Sequence, residues 1–239
     1  MHDDLYLHES GLEPFQFGPQ VAQVFDDMVV RSVPHYDTIQ DLLVRFALSC
    51  CGGHPIYDLG CSTGSTLLKL AQQSETPLTL VGIDNSPAML ELCQAKMAGH
   101  SLFLENHDLE SMQDFPRGRA GAVILCLVLQ FLRPPRRKAL VRMAYENLEP
   151  GGCLLMVEKI APKQPLLNSL FIEFHHDLKR RNGYSDIEIA RKRDALENRL
   201  IPFSPEQNLE MLREAGFEEP AVFFACLNFQ GYVAIKAGS

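Results

Sequence analysis

The sequence predicts an α/β fold, in which helices pack on a seven-stranded, mostly parallel sheet with an antiparallel C-terminal hairpin and a helical lid. From residue 54 onward, short apolar runs alternate with amphipathic segments. The last two apolar runs are nearly contiguous, and two helical pieces fall outside the alternation. With 239 residues, of which 46% are hydrophobic, the chain is long enough to bury a large core without disulfides or a structural metal.

The strands are predicted at apolar runs bounded by turn residues. The first five are HPIYDLG, LTLVGID, SLFLEN, AGAVILCLVL and GGCLLMVEK. Their alternation with amphipathic segments predicts helices packed on a mostly parallel sheet. The last two, AVFFACLNF and GYVAIKA, are separated only by about Gln230, a spacing that predicts a hairpin and therefore an antiparallel edge.

The helices are predicted from their N-terminal signals, where a capping side chain or a proline precedes an amphipathic segment. Such signals stand at Ser86-Pro87, Pro134-Pro135, Ser204-Pro205 and Ser185, which forms a capping box with Glu188. The last predicts a helix from about Asp186 to about Leu200. Two helices, VAQVFDDMVV and the Asp37-started TIQDLLVRFALSC, precede the sheet. We therefore predict a helical lid segment over residues 1–53 and an α/β domain over residues 54–239, with a helical insertion at 160–203.

Charge and composition exclude several classes of function. The chain has 22 Lys and Arg against 30 Asp and Glu, a net charge of -8, which disfavours direct binding of nucleic acid. The longest apolar runs have about half of the roughly 20 residues that span a membrane, and the N-terminus lacks the features of a signal peptide. A cytosolic protein without membrane contact is predicted. The seven cysteines include no C-x-x-C pair and are predicted to be reduced core thiols, and no metal site is predicted.

A glycine motif follows the first predicted strand. Asp58, Gly60, Ser62 and Gly64 give the spacing D-x-G-x-S-x-G, whereas a dinucleotide-binding turn has G-x-G-x-x-G. Glycines at such a turn allow backbone N–H groups to approach a ligand. The motif resembles the first motif of class I S-adenosylmethionine-dependent methyltransferases, with Ser62 at the position of the commonest middle glycine. That resemblance implies a Rossmann-like class I methyltransferase fold.

Three further positions agree with this resemblance. Asp84 ends the second strand, where an acid can accept both hydroxyls of a ribose. Asp108 follows the third strand, where such enzymes read the adenine amino group, and residues 148–152 form the turn before the fifth strand. Each position can also be a helix cap or a plain turn, but their common order and spacing favour a cofactor site.

Arg193 separates this chain from a generic methyltransferase. On the predicted helix it shares one apolar stripe with Ile189, Leu196 and Leu200, which predicts that it faces inward. A buried guanidinium costs several kcal/mol unless an anion compensates it. The anion is either a protein carboxylate, for example Glu173 or Asp177, or a carboxylate of the ligand.

Tyr36 and a cluster of basic residues can likewise have either a structural role or a role in binding an anion. Tyr36 stands in a predicted loop between two helices, where a phenol either packs or donates to an anion at the rim of a pocket. Six of the 22 basic residues fall within fifteen positions: Lys179, Arg180, Arg181, Arg191, Lys192 and Arg193. This cluster is either a solvated face or an attractive surface for an acidic substrate.

Several longer blocks carry a closer resemblance. They are FDDMVVRSVPHYD, YDLGCSTG, IDNSPAML, LQFL, FHHDLKRRNGYSDIEIARKR and LEN. Over about residues 20 to 237 the chain resembles the bacterial carboxy-S-adenosyl-L-methionine synthase family. Members convert S-adenosyl-L-methionine and prephenate to carboxy-S-adenosyl-L-methionine and phenylpyruvate. A separate enzyme then uses the product to carboxymethylate a wobble uridine of tRNA, and the resemblance suggests a homodimer.

The resemblance also implies the site residues. Cofactor contacts fall on Tyr36, Gly60, Cys61, Ser62, Asp84, Asn85, Asp108 and Leu109, and on Cys126, where the family has an asparagine. Arg193 falls where the family binds the carboxylate added to the methyl carbon, and Tyr36 would donate to the same group. In the family, the hydroxyl leaving prephenate is the proposed base, so no catalytic side-chain base is expected.

Two other functions stay open on the sequence alone. A plain methyltransferase acting on a small molecule would share the fold and cofactor, with Arg193 in an internal salt bridge. A non-catalytic S-adenosyl-L-methionine-binding module would retain the cofactor without turnover.

Overall fold

The computed structural model describes residues 1–8 and 15–238. In that part of the chain, seven strands form one sheet: β1 Ile56–Leu59, β2 Leu80–Asp84, β3 Phe103–Asn106, β4 Ala120–Cys126, β5 Leu148–Lys159, β6 Ala221–Cys226 and β7 Phe229–Ile235. Their order is β3-β2-β1-β4-β5-β7-β6. The pairs from β3 to β5 are parallel, whereas β7 runs antiparallel to both β5 and β6. The predicted sheet and its antiparallel C-terminal hairpin are confirmed.

The helices of the described residues lie on both faces of the sheet and at one end of its strands. They are α1 Leu5–His8, α2 Pro19–Ser32, α3 Tyr36–Cys50, α4 Ser65–Gln73, α5 Pro87–Lys96, α6 Pro134–Asn147, α7 Pro165–Arg181, α8 Asp186–Leu196 and α9 Pro205–Ala215. The predicted starts after Ser86, at Pro134, after Ser185 and after Ser204 are all confirmed. Ser86 caps α5 by accepting the Met89 N–H, and Ser185 and Ser204 form capping boxes.

The core has two layers because successive residues of a strand point to opposite faces of the sheet. Tyr57 and Leu59 belong to the layer that contains Leu140 of α6 and Leu212 of α9. Ile56 belongs to the other layer, with side chains of α3, α4 and α5. Full burial of one such leucine contributes about 1.5–3 kcal/mol, so the two layers hold the strand ends rigidly below the site.

The lid has its own small apolar cluster. It joins Val21 and Met28 of α2 to Met89 of α5 and Ala195 of α8. The N-terminal segment and the insertion therefore meet at the same end of the sheet. Positions 9–14 of the predicted lid segment and Ser239 lie outside the described residues, and the division at residue 53 stays a prediction. No helix among the described residues is long and apolar enough to cross a membrane.

Several predicted boundaries are wrong by a few residues. Helix α8 ends at Leu196 and not near Leu200, because Glu197 is extended, with ψ 132°, and Asn198 after it is left-handed, with φ 60°. The hairpin turns at residues 227–228, while Gln230 pairs inside β7. Leu200 fits the apolar spacing of the helix, and this fit extended the prediction too far.

Two starts also differ from the prediction. Helix α3 begins at Tyr36 and not at Asp37, because the left-handed residue before it, His35 with φ 53°, turns the chain into the helix. Strand β5 begins at Leu148 and contains the predicted turn as an irregularity. Leu148 pairs with Ala120 and Cys153 pairs with Ala122. Residues 149–152 of β5 therefore form a bulge opposite the single residue Gly121 of β4.

Candidate active site

A large cleft opens at the carboxyl ends of β1, β2 and β4. The strand order changes direction there, because β2 and β3 lie on one side of β1 and β4 and β5 lie on the other. This is the position at which open parallel sheets bind ligands. Its volume is about 1080 Å³, at the upper end of ordinary ligand pockets. Nine of the ten predicted site residues line it: Tyr36, Gly60, Cys61, Ser62, Asp84, Asn85, Asp108, Leu109 and Cys126. Arg193 is not among the lining residues.

The glycine loop requires both of its outer glycines. Gly60 has φ 79°, and a Cβ there would lie 2.6 Å from Cγ2 of Val128. Gly64 has φ 78°, and its Cβ would lie 2.4 Å from Sγ of Cys93. Ser62 is also left-handed, with φ 49°, a conformation that glycine adopts more readily than serine. The loop thereby turns its backbone toward the cleft before α4 begins.

Asp84 is a buried carboxylate at the end of β2. Its Oδ2 accepts the Ser62 N–H at 2.9 Å, and its Oδ1 accepts the Ser86 N–H at 2.9 Å. Burial raises the pKa of Asp84, while backbone N–H groups of Ser86, Ser62 and Asn85 act in the opposite direction. These bonds fix the carboxylate at the cleft wall, in a position suited to the two hydroxyls of a ribose.

Asp58 is a second buried acid of the cleft. Burial and the negative charge of Asp84 raise the pKa of Asp58 to about 7, and a hydrogen bond with Thr66 acts in the opposite direction. The carboxyl is therefore partly protonated near neutral pH. Asp58 was predicted only as the first residue of the glycine motif. Its position between two apolar residues of a buried strand was the available signal.

Tyr36 and Cys126 present neutral polar groups. Burial raises the pKa of Tyr36 well above its ordinary value, so its phenol stays protonated and can donate. Burial also raises the pKa of Cys126, which keeps the thiol neutral. The amide of Gln40 donates to Sγ of Cys126 at 3.8 Å. A weakly polar thiol thus stands at the end of β4.

Asp108 combines the two alternatives that the sequence left open. Its Oδ1 accepts the Glu110 N–H at 2.9 Å, so it stabilises the turn after β3. Asp108 also lines the cleft, beside buried Leu109. A turn-forming role and a ligand-facing position therefore coexist in one residue.

Comparisons with known proteins identify the family. Residues 56–152 match a family model described as a methyltransferase domain. The chain is 45% identical to the carboxy-S-adenosyl-L-methionine synthase of Methylococcus capsulatus, over 98% of this chain and 99% of that protein. The chain belongs to the carboxy-S-adenosyl-L-methionine synthase family. It is thus an S-adenosyl-L-methionine-dependent enzyme.

A second relative and a solved structure agree with this family and fold. The carboxy-S-adenosyl-L-methionine synthase of Desulfotalea psychrophila is 42% identical, over 98% of this chain and 97% of that protein. The apo structure of the S-adenosylmethionine-dependent methyltransferase SibL matches with a TM-score of 0.66 and 18% identity, over 97% of this chain and 65% of that chain. At that identity the likeness concerns the fold, and it confirms the Rossmann-like class I methyltransferase fold.

Arg193 does not face inward as the helical stripe predicted. Its side chain is 65% exposed, and its Nη2 lies 2.8 Å from Oδ1 of the adjacent Asp194. The prediction that it is buried is wrong, as are the two proposed acidic partners, Glu173 and Asp177. The buried face of α8 is centred on Ile189, Lys192 and Ala195 instead.

The error has a simple physical cause. The predicted stripe was drawn through Ile189, Leu196 and Leu200, but Leu200 lies beyond the end of α8, so the stripe was displaced from the face that is buried. Lysine has a long aliphatic stem that packs well against apolar groups. Lys192 is in fact buried and lines the cleft.

Glu158 of β5 supports the segment after β4 that lines the cleft, and this role was not predicted from the sequence. Its carboxylate accepts the N–H groups of Val128, Leu129 and Gln130 at 3.0, 2.8 and 2.9 Å. Burial raises the pKa of Glu158 to about 7, although these bonds oppose the shift. The carboxylate fixes the segment after β4, in which Leu127 is left-handed with φ 61°. An acid inside the apolar run CLLMVEK was the available signal.

A polar network joins the lid to the glycine loop. Oδ1 of Asp26 on α2 accepts the hydroxyls of Thr63 at 2.6 Å and Ser65 at 3.2 Å. Lys96 of α5 lies 2.8 Å from Oδ2 of Asp26. The helix that covers the cleft is therefore connected to the loop that forms its floor.

The structure gives two findings on cysteines and metals. All seven cysteines are free thiols, and four of them are buried as predicted, whereas Cys50, Cys126 and Cys226 are half-buried. Within residues 1–8 and 15–238, no group of three or more His, Cys, Asp and Glu side chains is placed to hold a metal ion.

Proposed function

We propose that the chain is a carboxy-S-adenosyl-L-methionine synthase that converts S-adenosyl-L-methionine and prephenate to carboxy-S-adenosyl-L-methionine and phenylpyruvate. The observation that carries the proposal is 45% identity to a synthase of this name over 98% of the chain. The cleft supports it because its volume of about 1080 Å³ accommodates two small molecules side by side.

The residues of the cleft fit S-adenosyl-L-methionine. Asp84 offers both carboxylate oxygens to the ribose hydroxyls, and the backbone from Gly60 to Ser62 approaches the amino-acid portion. Asp108 and Leu109 would hold the adenine, and Cys126 the methionyl end. The cofactor supplies a methyl carbon whose protons are acidified by the neighbouring sulfonium.

The proposed reaction balances without a side-chain base. Prephenate loses carbon dioxide and its ring hydroxyl, and the hydroxyl departs as water with one methyl proton. The methyl carbon forms a bond to the carbon dioxide. The protein would exclude bulk water, orient both molecules and donate the neutral Tyr36 phenol to the new carboxylate.

Arg193 would also bind the new carboxylate, which requires it to reach a cleft from its exposed position. We propose a homodimer in which Arg193 enters the cleft of the second copy. Exposed apolar side chains on α7, Leu166, Leu167 and Phe174, support such an interface. Sedimentation velocity tests the dimer. Mixing inactive Arg193→Ala and Asp84→Ala proteins tests the arrangement, because only a shared cleft restores activity in mixed dimers.

The product would be used by a separate tRNA carboxymethyltransferase in modification of the wobble uridine. The net charge of -8 supports this division of labour, because a protein that grips RNA normally presents a basic surface. A cytoplasmic location, together with the tRNA, follows from the same proposal.

Mass spectrometry tests the proposed reaction. Purified protein is incubated with S-adenosyl-L-methionine and prephenate, and the adenosyl product should gain one carboxyl group. Asp84→Ala should weaken both ligands, because they share the ribose, whereas Arg193→Ala should weaken only the carboxylated one. Unchanged S-adenosyl-L-methionine in all conditions contradicts the proposal.

A second candidate is a methyltransferase acting on a small molecule. The ion pair of Arg193 with Asp194 favours it, since a paired surface arginine needs no ligand carboxylate. Formation of S-adenosylhomocysteine with a small acceptor, without carboxylated product, would identify this activity.

A further inference from the structure

One wall of the cleft carries buried positive charge that the proposed function does not use. Lys192 of α8 lines the cleft, although only 8% of its side chain is exposed. Lys179 of α7 and Arg31 of α2 are also buried close by. Burial and mutual repulsion lower the pKa of Lys179 to about 7, and burial lowers the pKa of Lys192 to about 8. A concentration of cations of this kind favours an anion.

Two carboxylates lie near this wall, and one of them, Asp3, forms a buried ion pair with Lys192. Asp3 is buried, and its Oδ2 lies 3.6 Å from Nζ of Lys192 while it also accepts the hydroxyl of Tyr184. Glu188 accepts the Ser185 N–H at 2.8 Å and the Ser185 hydroxyl at 2.6 Å, as part of the capping box. Asp3 therefore shares its Oδ2 between Lys192 and Tyr184, while Glu188 bonds to Ser185.

The ammonium of Lys192 has a hydrogen-bond donor to spare. It has three N–H donors. Among the described residues, the acceptors recorded for Nζ are Oγ of Ser32 at 3.2 Å and Oδ2 of Asp3 at 3.6 Å. Ser32 lines the cleft as well. A charged donor and a hydroxyl are thus presented together beside Tyr36 and Val33.

We infer that Lys192, with the hydroxyl of Ser32, is a binding subsite for a carboxylate of the second substrate. The inference rests on the proposed function, because prephenate carries two carboxylates. It extends that function by separating two anion sites. Tyr36 and Arg193 would hold the carboxylate that is formed, and Lys192 would hold one that the substrate brings.

Charge-assisted hydrogen bonds in a buried site are stronger than neutral ones, so loss of the ammonium should have a large effect. We expect Lys192→Met to weaken prephenate binding about 10- to 100-fold. Its affinity for S-adenosyl-L-methionine should stay within about twofold, because that ligand lies on Asp84 and the glycine loop. Lys192→Arg should keep part of the prephenate affinity.

The test uses calorimetry of prephenate binding to the full chain loaded with S-adenosylhomocysteine, together with KM and kcat for prephenate. Lys179→Met is the matched control, since it removes a buried lysine of the same cluster that is not among the cleft-lining residues. Thermal melting establishes that each variant is folded. Equal losses in the Lys192 and Lys179 variants, or an equal loss of S-adenosyl-L-methionine, overturn the inference.

The outcomes also separate this inference from the proposed function. If the wild-type protein carboxylates the cofactor while Lys192→Met keeps the same KM for prephenate, the subsite is wrong and the function stands. If the wild-type protein binds prephenate without turnover and Lys192→Met binds it weakly, the subsite stands and the function is wrong. Absence of prephenate binding to the wild-type protein overturns both.

Discussion

Two buried carboxyl groups, Asp58 and Glu158, have pKa values near 7 because burial disfavours their ionised forms. In an unfolded chain both would titrate at about 4. The folded protein therefore holds more protons than the unfolded chain between about pH 4 and 7. These two groups stabilise folding most at low pH, and their contribution is lost as the pH rises through 7.

Asp58 should also link proton release to ligand binding. S-adenosyl-L-methionine carries positive charge, so its arrival in the cleft favours the ionised carboxylate and should release protons near pH 7. We expect affinity to increase between about pH 6 and 8. Calorimetry in buffers of different ionisation enthalpy measures the released protons. Asp58→Asn should abolish most of the release, whereas the exposed Asp37→Asn should not, and an unchanged release in Asp58→Asn would contradict the assignment.

Single residues were predictable where the sequence motif itself placed them. Asp84 and the glycine loop follow strand ends, so their position depends only on finding the strands. Lys192 and Glu158 could not be assigned in this way, because their burial depends on packing between distant segments. Arg193 was misplaced because Leu200 helped to define the predicted apolar stripe, although it lies outside the helix.

Among the structural elements, α2 is connected to the rest of the site by the ion pair and hydrogen bonds of Asp26. Asp26→Asn keeps the shape and removes the charge. We expect S-adenosyl-L-methionine to dissociate about 2- to 5-fold faster, the size of effect typical of a partly exposed ion pair. Stopped-flow displacement measures this rate. Asp41→Asn, which breaks a comparable pair with Lys69 at 2.7 Å between α3 and α4, is the control and should leave the rate unchanged.

Helix α9 offers a test of capping that is independent of the cleft. Oγ of Ser204 accepts the Gln207 N–H at 3.3 Å, and the Gln207 side chain accepts the Ser204 N–H at 2.9 Å. Ser204→Ala should reduce the free energy of unfolding by about 1 kcal/mol. The expected fall in Tm is about 2–4 °C, with binding of S-adenosyl-L-methionine unchanged. The exposed Ser101→Ala should not change Tm, and a similar fall there would argue against capping as the cause.

The starts of helices were more predictable than their ends. Ser86, Ser185 and Ser204 cap their helices with side chains that are local in sequence. The end of α8 depends on the left-handed conformation of Asn198, and the hairpin turn on one at Leu227, which a short sequence window does not reveal. Local chemistry therefore determined the starts, and the longer-range packing of the chain determined the ends.

At the scale of the whole molecule, the cleft is formed jointly by the sheet and the lid, so a bound ligand should stabilise both. At a concentration 100 times its Kd, S-adenosyl-L-methionine should add about 2.7 kcal/mol to the free energy of unfolding. The corresponding rise in Tm is about 5–10 °C for a chain of this size. Differential scanning calorimetry measures the shift, and adenosine, which lacks the methionyl portion, should give a smaller one at equal concentration. No shift at saturation would contradict binding at this cleft.

The overall architecture was largely predictable from the alternation of apolar and amphipathic segments. That alternation predicts helices packed on a mostly parallel sheet, but it does not determine the order of the strands, which the structure supplies. The arrangement of the lid was not predictable. It depends on contacts such as those of Asp3 with Lys192 and of Arg31 with the carbonyl of Asn182 at 2.8 Å, which join segments far apart in sequence.

The burial of Asp3, which is 1% exposed, has a practical consequence for handling the protein. Proteolytic trimming of residues 1–3 would delete the carboxylate that faces Lys192, and several buried cations would lose a counter-charge at once. Such a truncated form should bind small anions such as phosphate or citrate from buffers more readily.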